Sequence, residues 1–160
     1  MKLLIGFGNE MRGDDGLGPR LVRAVAGWKA PDLEIVDAHQ LTPELAERIV
    51  AAEAVLFIDA VRKQPGIRMR RLQPATENRD PHILNPEGLL GLAQALSRNH
   101  PPAWLLTIPG DRFGFSTELS EAGKKRLEEA LPWVRTWLLA GAAYQPEGKI
   151  EAETELGTGD

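Results

Sequence analysis

The chain has 160 residues, a length typical of one domain with a full hydrophobic core. Hydrophobic residues make up 42% and charged residues 26%, and no apolar run approaches the roughly 20 residues of a membrane-spanning helix. The formal net charge of −4 gives no basic footprint for nucleic acid. Because the chain has no cysteine, disulfides, thiolate metal sites and a cysteine nucleophile are excluded.

The first half of the chain alternates short apolar runs with amphipathic segments. Residues 2–7 predict a buried strand, and apolar positions recur at helical spacing from Leu17 until Gly27. Residues 33–36 predict a second strand, and Thr42, followed by proline and glutamate, predicts the N-cap of a second helix. Because glycine interrupts the N-terminal apolar run early, we expect no export signal and a cytoplasmic location.

The middle of the chain contains the most apolar of these runs. Residues 54–58 are continuously apolar and lead into Asp59, a pattern typical of a central parallel strand that ends in a carboxylate. Residues 67–72 predict a weaker edge strand whose arginines form a solvated face. A loop over 74–84 then precedes a helix capped by Asn85, with a buried stripe of leucine and alanine that extends to Leu96.

The last third predicts one more strand and a long helix. Residues 103–108 predict the strand, and the loop 109–115 carries two aromatic residues, as a lid or a recognition loop would. Ser120 begins the final helix, which Pro132 is expected to kink or interrupt.

This alternation predicts an α/β three-layer sandwich with a mostly parallel sheet of about five strands and helices on both faces. We expect a single domain over residues 1–140 and a disordered tail over 141–160. Ligands of such sheets bind at the carboxyl ends of the strands, near a topological switch point. The glycine-rich stretch 6–18, Asp37 and Asp59 would gather there.

Three side chains suit a metal site without thiolates, namely Asp15 after the first strand, Asp59 after the third and His82 in a loop. Each also has a simpler interpretation. Asp15 could cap a helix, Asp59 could accept hydrogen bonds from backbone amides, and His82 could be a surface histidine. His39 lies in a loop at the same edge and is a candidate for substrate contact.

A dinucleotide site is the main competitor for the stretch 6–18, since Gly6 and Gly8 follow a strand. The third glycine of that fingerprint would fall at position 11, which is Met11. No phosphate-binding loop with glycine-lysine-serine or -threonine is present, and no serine has the glycine-flanked setting of a nucleophile elbow. Metal-assisted hydrolysis therefore remains the leading chemistry, with a non-catalytic nucleotide- or partner-binding domain as the alternative.

Several blocks of the sequence, taken together, resemble the nickel-iron hydrogenase maturation proteases, which trim the hydrogenase large subunit. The blocks are Gly6-Phe7-Gly8-Asn9, Gly13-Asp14-Asp15-Gly16-Leu17-Gly18, Ile58-Asp59-Ala60, His82 with Leu89-Leu90-Gly91-Leu92-Ala93, and Leu119-Ser120. The resemblance covers about residues 2–139.

Two positions depart from the family pattern. Some members carry glutamate where this chain has Asp15, a change that keeps a carboxylate ligand. Many members have an aspartate-glycine-glycine turn after the second strand, where this chain reads Asp37-Ala38-His39-Gln40. That block, together with residues 104–110, is similar to the subgroup that processes cytosolic, bidirectional hydrogenases.

The resemblance implies an endopeptidase that removes a C-terminal extension from the nickel-loaded hydrogenase large-subunit precursor. Nickel would be supplied by the substrate and would act as the recognition signal, so that the enzyme needs no resident cofactor. Asp15, Asp59 and His82 would be its catalytic residues and nickel ligands. Asp14 would cap the helix beside them.

The same resemblance assigns substrate contacts to the neighbouring loops. These contacts would come from Gly8, Asn9, His39 and Phe113, with the glycines clearing room for the substrate tail. The partner is the hydrogenase large-subunit precursor, and we expect neither nucleic acid nor a membrane as a partner.

Overall fold

The computed structural model describes residues 1–75, 84–98 and 100–145, and within them the chain alternates strands with helices. The strands are β1 (Lys2–Phe7), β2 (Leu33–Ala38), β3 (Ala54–Val61), β4 (Arg68–Arg71) and β5 (Ala103–Pro109). The α-helices are α1 (Leu17–Ala26), α2 (Leu45–Ala51), α3 (Pro86–Ser97) and α4 (Glu121–Ala140), and short 3-10 turns span Gly13–Gly16 and Gly141–Ala143. Within these ranges no helix is both long and apolar enough to cross a membrane.

The five strands form one sheet in the order β2-β1-β3-β5-β4. All neighbouring pairs are parallel except β4 with β5, which is antiparallel and places β4 at an edge. The chain proceeds from β1 to β2 on one side and then returns to β3 on the other, so the order reverses between β1 and β3. This is the switch point at which a crevice opens at the carboxyl ends of the strands.

Helices cover both faces of the sheet, which confirms the predicted three-layer sandwich. One core lies between the sheet and helices α1 and α4, with Leu21, Val22, Val134 and Trp137 among its buried residues. The other lies between the sheet and helices α2 and α3 and includes Ile49. Strand β3 contributes alternate residues to both cores, as a strand buried on two faces must.

The structure corrects three sequence predictions about elements. Strand β3 extends to Val61, so Asp59 lies inside the strand opposite Thr107 and not at its end. Helix α2 begins at Leu45, and the Thr42 side chain does not cap it. The chain first makes a turn in which the Leu45 amide donates to the Thr42 carbonyl. Leu96 is 62% exposed, since the last turn of α3 is solvent-accessible.

Helix α4 continues through Pro132, so the predicted interruption is wrong. A proline removes the hydrogen bond to the carbonyl four residues earlier, here that of Glu128. Both residues are exposed, and water can therefore bond to that carbonyl. The Thr136 hydroxyl donates to the Pro132 carbonyl at 3.0 Å within the same stretch.

Residues after α4 pack onto the domain as far as they are described. Gly141–Ala143 forms a 3-10 turn, and the Tyr144 ring, 3% exposed, meets the Trp104 ring edge-on with 5.7 Å between centroids. Residues 146–160 of the tail predicted from sequence lie outside the described residues.

Two glycines bring the first helix against the first strand. A Cβ on Gly6 would lie 2.2 Å from the Gly18 carbonyl oxygen. A Cβ on Gly18 would lie 2.6 Å from the Ile58 carbonyl oxygen and 2.8 Å from that of Phe7. Because all these atoms belong to backbone, neither position has room for a side chain. This close approach places the junction between β1 and α1 directly over the end of β3.

We expect Gly18→Ala to destabilise the protein by roughly 2–4 kcal/mol, measured by urea unfolding, although alanine normally favours a helix by about 1 kcal/mol. Gly66→Ala is the matched control, because nothing lies within 4 Å of a Cβ there. If both variants were equally stable, the proposed close packing of α1 on the sheet would be wrong.

Candidate active site

The junction between β1 and α1 makes a tight turn that only glycine allows. The Gly8 amide donates to the Ala38 carbonyl at 3.0 Å, which ties the junction to the end of β2. Gly8 has a φ of 149°, and a Cβ there would lie 2.0 Å from the Asp15 carbonyl oxygen. A residue with a side chain at position 8 would displace Asp15. Asp15 can therefore occupy its position only because residue 8 is glycine.

Asp15 is half-buried and is oriented by its own loop. The Asn9 amide donates to the Asp15 Oδ2 at 2.7 Å, and the Asn9 Oδ1 accepts from the Met11 amide at 2.9 Å. No side chain caps the 3-10 turn Gly13–Gly16 or helix α1. The interpretation of Asp15 as a helix cap is therefore wrong.

Asp59 lies near the carboxyl end of the central strand. Residues alternate between the faces of a strand, so Asp59 shares its face with Val55 and Phe57, which pack against α2 and α3. Burial, reinforced by the negative charge of Asp15, raises the pKa of Asp59 to about 7, although a hydrogen bond from the Ala60 amide opposes the shift. Two interacting carboxyl groups thus lie at the switch point between β1 and β3.

An open cavity of about 280 Å³ lies beside Asp15. Its lining residues are Arg12, Asp15, Ala60, Val61, Arg62 and Phe113. Asp59 directly precedes Ala60 in β3 but is not itself among the residues that line the cavity. The structure therefore brings Asp15 and Phe113, two residues predicted from sequence, into one cavity.

Two arginines of this cavity were missed by the sequence predictions. The Arg12 Nε donates to the Phe113 carbonyl at 3.2 Å, and the Arg62 guanidinium lies over the Phe113 ring, 4.4 Å from its centroid. Both arginines are exposed, so their sequence pattern is that of solvated surface residues. The available signal was position alone, because each lies three residues from a predicted site aspartate.

Asp14 has a different role from the one predicted. Its side chain is fully buried, and Oδ2 accepts from the Asp111 amide at 2.7 Å, the Arg112 amide at 3.1 Å and the Ser120 hydroxyl at 2.6 Å. Oδ1 accepts from the Ser120 amide at 2.8 Å. Asp14 therefore does not cap α1 but holds the loop that precedes α4, and we call these four hydrogen bonds the Asp14 clasp.

The surroundings of Asp14 leave no space for another group. A Cβ on Gly123 would lie 2.3 Å from the Asp14 Oδ1, and a Cβ on Gly110 would lie 2.7 Å from the Asp14 Cβ. Ser120 also accepts from the Gly123 amide at 2.9 Å, so the residue that binds Asp14 is the N-cap of α4.

The clasp keeps Asp14 ionised. Burial opposes the charge, but the hydrogen bonds from Ser120 and from the backbone amides outweigh it and lower the pKa below its usual range. The carboxylate stabilises the fold at neutral pH, and this contribution is lost only as the pH falls through the lowered pKa.

Of the remaining candidates, the structure describes His39 and Asp37. His39 is exposed in the bend that follows β2. Asp37 forms an ion pair with Arg23 at 2.7 Å. His82 lies outside the described residues, and within them no group of three histidine, aspartate or glutamate side chains could hold a metal ion.

The backbone of the opening loop offers little to a phosphate group. The amides of Gly8, Asn9 and residues 11–15 all donate to acceptors within the protein. A phosphate-binding loop instead directs free amides at its ligand. This geometry disfavours a nucleotide site in the stretch 6–18.

Solved structures with a similar fold include several hydrogenase maturation proteases. The hydrogenase maturating endopeptidase HybD from E. coli superimposes with a TM-score of 0.69 at 20% identity, covering 88% of this chain and 93% of its own. The hydrogenase 2 maturation peptidase from a Thaumarchaeota archaeon gives 0.63 at 24% identity, covering 88% of this chain and 98% of its own. The NiFe hydrogenase maturation protease HycI from Thermococcus kodakarensis gives 0.66 at 21% identity, covering 83% and 88%.

No protein-family model matches the chain, and a search of curated proteins gave no significant match. At these identities the structural neighbours establish the fold over most of the chain. They are also proteins of the family whose motifs the sequence resembles.

We expect Asp15→Asn to lower the pKa of Asp59 from its value of about 7, because the neighbouring negative charge is removed while burial remains. A carboxyl-detected NMR titration of the metal-free protein measures the shift. The control is Asp32→Asn, which removes an exposed charge just before β2, at the amino ends of the strands. An unchanged pKa in Asp15→Asn would contradict the interaction between the two carboxyl groups.

The raised pKa of Asp59 also predicts the direction in which the stability of the fold changes with pH. Between the ordinary pKa of an aspartate and about pH 7, the folded protein holds a proton at Asp59 that the unfolded chain has lost. The contribution of Asp59 therefore makes the fold less stable as the pH rises through this range. We expect Asp59→Asn to stabilise the protein by roughly 1–3 kcal/mol at pH 8 and by less at pH 4.

For the clasp, we expect Asp14→Ala to lose roughly 3–5 kcal/mol, because it leaves buried donors without an acceptor. Hydrogen exchange at the amides of Asp111, Arg112 and Ser120 should accelerate more than exchange in the central strands. Asp111→Ala is the matched control, since it removes an exposed carboxylate of the same loop while its amide still binds Asp14. Equal exchange in both variants would contradict the role of the clasp.

Proposed function

We propose that the chain is an endopeptidase that removes the C-terminal extension of a nickel-loaded hydrogenase large-subunit precursor. The observation that carries the proposal is the interacting pair of carboxyl groups, Asp15 and Asp59, at the switch point of the sheet, where Asp15 lines an open cavity. The fold shared with the hydrogenase maturation endopeptidases and the sequence blocks around these two residues support the choice of substrate.

The chemistry of the site is consistent with a metal that arrives with the substrate. Two carboxylates and one imidazole, without thiolates, bind a borderline metal only modestly. Nickel in the precursor would be bound by Asp15, Asp59 and His82 when the precursor docks. The metal would either polarise the scissile carbonyl or activate a water molecule, the two usual routes of metal-assisted hydrolysis.

The loops around the carboxyl groups would contact the precursor. Gly8 and Asn9 support Asp15 directly, and Phe113 forms one side of the cavity. His39 would extend the contact at the end of β2. We expect the reaction to occur in the cytoplasm.

A cleavage assay tests the function. Nickel-loaded and nickel-free large-subunit precursors are incubated with the protein, and loss of a C-terminal peptide is followed by mass spectrometry. We expect cleavage of the nickel-loaded precursor only, and at least a hundredfold slower cleavage by Asp59→Asn, because a ligand and reacting carboxyl group is removed. Asp32→Asn should retain wild-type activity.

The possible results separate three parts of the proposal. Cleavage of neither precursor would overturn the assignment as an endopeptidase of this substrate. Equal cleavage of both precursors would keep the protease and overturn the recognition of nickel. Normal cleavage by Asp59→Asn would show that the reaction does not use this carboxyl group.

A further inference from the structure

The cavity beside Asp15 contains two arginines that are not paired with acids in the described part of the chain. Five arginines elsewhere on the described surface form ion pairs with aspartate or glutamate, namely Arg20, Arg23, Arg48, Arg70 and Arg126. The other described arginines do not, and of these only Arg12 and Arg62 line this cavity. Arg12 and Arg62 have no such partner among the described residues. Their charges remain available to a ligand in the cavity.

Both arginines are held in position by the same residue. Phe113 accepts a hydrogen bond from the Arg12 Nε through its carbonyl, and its ring lies under the Arg62 guanidinium. Neither contact neutralises the positive charge, and the bond to Arg12 uses only one of the five N–H groups of that side chain. Because the Asp14 clasp fixes the preceding amides of the same loop, Phe113 is a stable support for the two cations.

The charge of the cavity differs from that of the whole chain. Arg12 and Arg62 contribute two positive charges and Asp15 one negative charge, whereas the chain has a formal net charge of −4. An anion is therefore attracted to this cavity and repelled by much of the remaining surface. The nearby Asp15 favours an anion with a single charge over a phosphate with two.

We propose that Arg12, Arg62 and Phe113 form a subsite for a carboxylate of the peptide on which the neighbouring carboxyl groups act. The choice of a peptide rests on the proposed function. A planar guanidinium matches a carboxylate through two parallel hydrogen bonds, which also fixes the direction in which the bound chain runs. The carboxylate belongs either to an acidic side chain or to the C-terminus of the peptide.

Binding of three short peptides distinguishes these sources without nickel or cleavage. The peptides are acetyl-Ala-Glu-Ala-amide, with a side-chain carboxylate, acetyl-Ala-Ala-Ala with a free C-terminus, and acetyl-Ala-Gln-Ala-amide, which is neutral. Each is titrated into the isotope-labelled full chain, and NMR shifts of the Arg12 and Arg62 Nε–H groups are followed. We expect at least one charged peptide to bind and the neutral one to bind about five- to tenfold more weakly or not at all.

Arg62→Gln is the main variant, since its side chain is exposed and its removal leaves the Arg12 hydrogen bond in place. We expect it to weaken binding of the charged peptide about fivefold or more, and raising the salt concentration should weaken wild-type binding. Arg68→Gln, an exposed arginine on β4, is the matched control and should bind as the wild type does.

Several results would overturn the subsite. They are equal binding of the charged and neutral peptides, no binding of either charged peptide, and unchanged binding by an Arg62→Gln protein with a native NMR spectrum. Because no assay step requires cleavage, a failed precursor assay with successful peptide binding would overturn the proposed function alone. Precursor cleavage without carboxylate binding would overturn the subsite alone.

Discussion

The hydrogen bonds to the buried carboxylate of Asp14 are the interaction on which the candidate site depends. They join the turn after the first strand to the loop before the last helix, where Ser120 lies 106 residues further along the chain. Asp15 follows Asp14 directly, and Phe113 belongs to the loop that the clasp holds. Two of the segments that line the cavity, the turn with Asp15 and the loop with Phe113, are therefore positioned by one charged group whose burial is offset by four hydrogen-bond donors.

Adjacent aspartates in this turn have different chemistry because their surroundings differ. Asp14 accepts four hydrogen bonds and its pKa is lowered, so it remains an anion with a structural role. Asp15 accepts one hydrogen bond, from the Asn9 amide, and is half-exposed at the cavity. Asp59 has mainly burial and the charge of Asp15 around it, which raises its pKa to about 7. A fixed anion, an accessible anion and a carboxyl group that titrates near neutral pH are thus built from one residue type.

The parallel sheet supplies the place where these groups meet. The reversal of strand order between β1 and β3 leaves a crevice at the carboxyl ends of these strands. The contact between Gly6 and Gly18 brings the start of α1 close to it. The arginines that border the cavity come from the turn after β1 and from the end of β3, so they share this origin. The carboxyl groups and the positive charges that would orient a peptide therefore lie at the same ends of the strands.

The sequence by itself determined most elements of the fold and three residues of the candidate site, Asp15, Asp59 and Phe113. Hydrophobic periodicity, the caps at Asn85 and Ser120 and the glycine at position 27 act over a few residues, so they can be recognised in the chain alone. Only the tertiary structure decided that Asp14 forms the Asp14 clasp, that the pKa of Asp59 is raised, and that two arginines contact Phe113. Each of these properties arises from groups that are distant in sequence or from burial among packed elements, and no local pattern encodes either.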